Sequence, residues 1–170
     1  VTERQAMGAQ LIVRGDQLPV LQQLAVTQAS GLEPPRAVVW GADLRDATSK
    51  RDAQKRLVAH CRDVAAVAAA HPQLAHVFVA YSHGGVVPAG GCLATAARAA
   101  ARLHAELERA RGRYVEVVLL DVTGCEDAET LDRRVKQAIA TPAGVAGDVA
   151  LGWDDIVDSS IHAAAARELC

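Results

Sequence analysis

Five short runs rich in β-branched and aliphatic residues alternate with longer stretches whose apolar residues recur at helical spacing, and few folds accommodate that rhythm. The runs fall at 10–13, 37–40, 76–81, 114–120 and 148–151, and a helical stretch follows each. Strands of four to seven residues joined by such long connections cannot pair as hairpins. They form parallel sheets, with the helices as crossovers. The pattern predicts one α/β domain of three layers: a mainly parallel five-stranded sheet, helices on both faces, and right-handed crossovers throughout.

Local punctuation agrees with this division. Leu18, Leu21, Leu24 and Ala25 recur at helical spacing toward Ser30, where Gly31 and Pro34-Pro35 end the pattern. Thr48 or Ser49 can cap a helix whose apolar face is Ala53, Leu57, Val58, Cys61, Val64, Ala65 and Ala68, closed by His71-Pro72. The longest helix is expected over 92–111 and ends at Gly112; another covers 128–140, and the last 159–169. Residues 1–8 read as a loose leader to a single domain spanning 1–170.

Composition excludes several function classes. A formal charge of -2 and a pI near 6.3 give no electrostatic case for nucleic acid. No apolar run reaches the ~18 residues of a membrane span, and no signal-peptide layout opens the chain. Cys61, Cys92, Cys125 and Cys170 lie far apart without a C-x-x-C pair, so a reducing cytoplasm with free thiols is expected. His60, His71, His76 and His104 show no metal spacing with a carboxylate, and neither metal nor cofactor is expected. Abundant Ala and Arg with no Asn reads as the bias of a GC-rich bacterial genome. The expected partner is a small-molecule ligand or substrate, with homo-oligomerisation left open.

The third run halts at Ser82-His83-Gly84-Gly85, and in α/β folds polar side chains at the carboxyl end of a central strand face the ligand crevice. Ala80-Tyr81-Ser82-His83-Gly84-Gly85 fits small-x-Ser-x-small-small, a pattern that keeps bulk away from a serine on a strained strand-to-helix turn. The amide of His83 would then face an oxyanion. The same residues also read as a glycine-rich turn and nothing more.

Here the chain resembles the α/β-hydrolase superfamily. Leu11-Ile12-Val13-Arg14-Gly15 is similar to the strand ending in the family's first oxyanion loop, although that loop normally shows His-Gly. Residues 38–45 are similar to the next strand with its small-Asp-Leu-Arg segment, and 149–157 to the later strand whose loop supplies the acid. The resemblance implies hydrolysis of an ester, thioester or amide of a small molecule. Ser82 would be the nucleophile, His162 the base, and the amides near His83 and Gly15 the oxyanion donors. Asp121 is the easier acid for His162; if Asp154 or Asp155 is the acid, the base is absent.

Two other readings compete. His83 followed by Cys125 beyond the next strand is similar to the caspase-like cysteine peptidases, with Asp121-Val122-Thr123-Gly124 intervening before the thiol. A non-catalytic Rossmann-like binding or assembly domain would use Gly84, Gly85, Gly90 and Gly91 as an anion-holding loop before a helix, though neither nucleotide motif is present.

Overall fold

The computed structural model describes residues 11–26 and 34–168. The leader at 1–8, the helix stop at Ser30 and Gly31, and the end of the last helix at Leu169 lie outside the described residues. Strand β1 (Leu11–Gly15) leads through a 3-10 turn at Pro19–Leu21 into α1 (Gln22–Val26). Then follow β2 (Ala37–Leu44), α2 (Lys50–Ala70), β3 (His76–His83), α3 (Leu93–Arg111) and β4 (Glu116–Asp121). The chain finishes with α4 (Ala128–Ala140), β5 (Asp148–Gly152), the short α5 (Trp153–Ile156) and α6 (Ile161–Glu168).

All five strands are parallel and lie in the order β1-β2-β3-β4-β5. One face of the sheet, with Val38, Trp40, Val77, Val79, Val117 and Leu119, is covered by α2 and α3. The other, with Val39, Phe78, Ala80, Val118 and Leu120, is covered by α4, α6 and the turn leading into α1. The three-layer α/β domain is therefore present. No helix among the described residues is long and apolar enough to cross a membrane.

The hand of the crossovers departs from expectation. Every step moves one strand in the same direction, so a crossover's hand follows from the face its helix covers. The β2-to-β3 connection runs over one face and the β4-to-β5 connection over the other, so these two have opposite hands. At least one is left-handed, against the strong preference for right-handed units. A single hand in this strand order would stack every helix on one face and leave the other apolar face bare. The change of hand is what buries both.

Strands β2 and β3 run beyond the expected ends at Trp40 and Tyr81, because the ladder continues through Gly41 with Ala80 to Leu44 with His83. Gly41 reads as a break in sequence but is a packing requirement: a Cβ there would lie 2.1 Å from the Asp16 carbonyl oxygen. Gly15, paired beside it at φ +82°, is equally confined, by the Gly41 carbonyl oxygen and the Trp40 ring. The helices start where side chains supply caps. Ser49 Oγ accepts the Asp52 amide, and Asp127 Oδ1 accepts the Thr130 amide.

At the amino edge of the sheet, a carboxylate is fully buried. Glu116, 0% exposed, accepts from His76 Nδ1 at 2.8 Å, from His162 Nε2 at 3.2 Å and from the Ala146 amide at 2.7 Å. It thus ties β3, β4, the approach to β5 and α6 together. Burial raises the Glu116 pKa, but hydrogen bonds from His76, Ala146 and His162 outweigh it and leave the group below its ordinary value. A carboxyl lowered on folding contributes stability above the ordinary glutamate range and loses it as pH falls through the folded value. Glu116→Gln should cost about 3 kcal/mol at neutral pH and flatten the acid loss of stability, as measured by urea unfolding at a series of pH values. Parallel curves for variant and parent would contradict this.

Candidate functional site

Where adjacent loops leave a sheet toward opposite faces, a crevice opens between them at the carboxyl edge, and ligands of α/β proteins bind in such crevices. The loop after β3 turns toward α2 and α3, carrying Val87 and Cys92 into that core. The loop after β4 turns the other way with Val122 and Cys125. The gap lies between the ends of β3 and β4. Those ends carry His83 and Asp121.

His83 and Asp121 are 6% and 7% exposed, and His83 Nε2 lies 3.1 Å from Asp121 Oδ2. With the proton on Nε2, the ring donates to the carboxylate and Nδ1 is left with a lone pair. That nitrogen lies 3.4 Å from the Gly84 carbonyl oxygen, which can accept a hydrogen bond from Nδ1 only once Nδ1 has taken up a proton. Asp121 is held in turn, its Oδ1 accepting the Thr123 amide at 3.0 Å. Thr123 closes the unit by accepting the His83 amide on Oγ1, also at 3.0 Å. Thr123 was not among the residues the sequence pointed to. Its signal was position alone, a hydroxyl two residues past the end of a central strand.

The predicted triad is not assembled. Ser82 lies within β3, opposite Asp43 in the ladder, and strand alternation sends its side chain to the face opposite His83 and Tyr81. No described non-glycine residue has positive φ, so no strained turn lifts Ser82 out of the strand. The His83 amide expected to face an oxyanion is occupied by Thr123. His162 is bound to Glu116, five residues before Asp121 along β4 and about 16 Å away by strand rise. Asp155 serves its own helix: Oδ2 accepts the Gly152 amide at 2.7 Å.

The other candidates divide in the same way. Cys125 packs into the core on the α4 side, away from His83, its thiol donating to the Asp127 carbonyl oxygen, and burial raises its pKa. It is a neutral packed thiol. Gly84 has no room for a side chain, since a Cβ would meet the Arg45 carbonyl oxygen at 2.5 Å, whereas Gly85 faces open space. Gly90, at φ +71°, and Gly91 shape the turn before α3, with the Gly91 amide donating to Pro88. The amides of Gly84, Gly85 and Val86 donate to no other described residue. Gly15 sits at the second gap, between β1 and β2.

That second gap holds a polar chain. Trp40 Nε1 donates to His60 Nδ1 at 3.1 Å, which leaves the His60 proton on Nε2, 3.3 Å from Asp16 Oδ2. The same Asp16 oxygen accepts the Asp43 amide at 2.9 Å. A side-chain hydrogen bond from Arg45 holds the Asp43 pKa below its ordinary value. No group of three ligating side chains among the described residues is arranged to hold a metal. No family model matches the chain, and no match is found to a curated protein or to a solved structure.

Beside the His83 pair, the Tyr81 hydroxyl is buried with no hydrogen-bond partner among the described residues. Burial, then the charge of Asp121 and the nearby Cys92, raises its pKa, so it stays a neutral phenol. A buried hydroxyl without a partner is destabilising. Tyr81→Phe should therefore leave thermal stability unchanged or raise it by about 1 kcal/mol. A lower melting temperature would mean that the hydroxyl is satisfied in solution.

Proposed function

We propose that the chain is a hydrolase acting on an ester, thioester or amide of a small molecule, with His83 as its general base. The observation that carries this reading is the His83–Asp121 pair, placed where the loops after β3 and β4 diverge. Asp121 fixes the ring and stabilises the imidazolium that forms; Nδ1 takes the proton. Water is the nucleophile. Its oxygen attacks the carbonyl carbon as its proton passes to Nδ1, and the tetrahedral intermediate collapses with that proton moving to the leaving group. The unengaged amides of Gly84, Gly85 and Val86 are the candidate oxyanion donors.

This keeps the reaction class implied by the resemblance and moves the chemistry from Ser82 to His83. A second reading, a non-catalytic ligand-binding or assembly domain, draws on the small exposure of His83, since a base must be reached by its substrate. The two separate on kinetics. With a panel of small acyl esters and thioesters, His83→Gln should lower kcat/KM by about 100-fold or more, while Ser82→Ala stays within about twofold of the parent. Loss of activity in Ser82→Ala would overturn the assignment in favour of a serine nucleophile. No turnover by the parent chain on any substrate of the panel would favour the binding domain.

A further inference from the structure

On the outer surface, away from the carboxyl edge, α2 and α3 enclose a pocket of about 210 Å³. Cys61, Ala99 and Leu103 form an apolar floor. Around it stand three guanidinium groups, of Arg62 on α2 and of Arg98 and Arg102 one turn apart on α3. An acid four residues away matches a cation at two places on the described helix surfaces, Asp52 with Arg56 and Asp132 with Lys136. Arg62 and Arg98 have no acid at three or four residues, and Arg102 has Glu106 at four without an ion pair to it. None lies within ion-pair distance of a carboxylate among the described residues, and the single hydrogen bond in the group is a long one of 3.5 Å, from Arg98 to Thr95. Glu106, one turn beyond Arg102, also lines the pocket and pairs with none of them.

We propose that this pocket binds a small organic phosphate monoester, with the phosphate between the guanidinium groups and an apolar body on the floor. The planar fork of arginine presents paired donors at the spacing of phosphate oxygens, and two helices offering such forks from opposite sides form a clamp for a dianion. The floor supplies no competing charge, because burial pushes the Cys61 thiol up to about 11. The pocket is smaller than those that hold drug-sized ligands, which limits the apolar body to roughly one ring or a short chain. Glu106 sets a limit of the opposite kind: its carboxylate repels a dianion from that end. The inference concerns a different surface from the hydrolytic proposal and does not rest on it.

Phenyl phosphate is the probe, with inorganic phosphate and phenol as its two halves, followed by amide chemical shifts in heteronuclear NMR. The expected result is a saturable shift of the Thr95, Ala99 and Cys61 amides, with phenyl phosphate at least about tenfold tighter than either half. Arg98→Gln combined with Arg102→Gln should weaken binding at least about tenfold, and Glu106→Gln should strengthen it. Because these side chains are exposed, the variants are expected to keep the parent's dispersed spectrum, which the same experiment reads directly. Shifts that fail to saturate, or an affinity unchanged in the double arginine variant with its spectrum intact, would overturn the proposal.

Discussion

Both faces of the central sheet are apolar, and the need to cover both governs the rest of the structure. Residues such as Val38 and Val79 point one way and Val39 and Ala80 the other, so the three central strands, β2, β3 and β4, are buried on both faces. In most α/β domains the strand order reverses, and a constant right hand then distributes helices to both sides. Here the strands lie in sequence order, and the same burial is reached by changing the hand of the crossovers instead. Burying several valine and leucine side chains, each contributing about 1.5–3 kcal/mol, outweighs the preference for one hand in a single unit.

That arrangement also fixes where polar groups collect. Loops diverge between β1 and β2 and again between β3 and β4, and each gap holds a histidine beside an aspartate: His60 Nε2 lies 3.3 Å from Asp16, and His83 is hydrogen-bonded to Asp121. The opposite end of the sheet carries a third such unit, with Glu116 between His76 and His162. The three differ in what is left over. The Glu116 cluster satisfies its carboxylate three times and joins elements that must stay together. His60 is engaged at both ring nitrogens. His83 differs from His76 and His162, which also commit one nitrogen to a carboxylate, in its place: it stands at the carboxyl edge where two loops diverge, with its second nitrogen facing only a carbonyl oxygen at long range.

Much of the fold was legible in the sequence. Apolar runs and helical stripes located all five strands and the long helices, because Leu57, Cys61 and Val64, or Leu131 and Val135, leave their spacing on the chain directly. Strand ends were less legible: Gly41 and Ser82 read as breaks, yet the ladder runs through both, since backbone pairing is indifferent to the side chains that suggest a turn. The site was legible in part. His83 and Asp121 were found because each follows closely on an apolar run, and they close β3 and β4. Their pairing was not, because it depends on register between β3 and β4. His162 failed as a base for the same reason: chain order says nothing about which edge of the sheet a helix reaches.

A base at His83 requires the ring to hold its proton on Nε2 against Asp121 and to keep Nδ1 unprotonated. Long-range ¹H–¹⁵N correlation on imidazole-labelled protein reads the tautomer of each ring directly. Neutral His83 should show a protonated Nε2 and an unprotonated Nδ1, with the Nε2 proton signal lost or shifted in Asp121→Asn. A proton found on Nδ1 would mean that the open nitrogen does not exist, and that the pair at the carboxyl edge is a structural link and not a base.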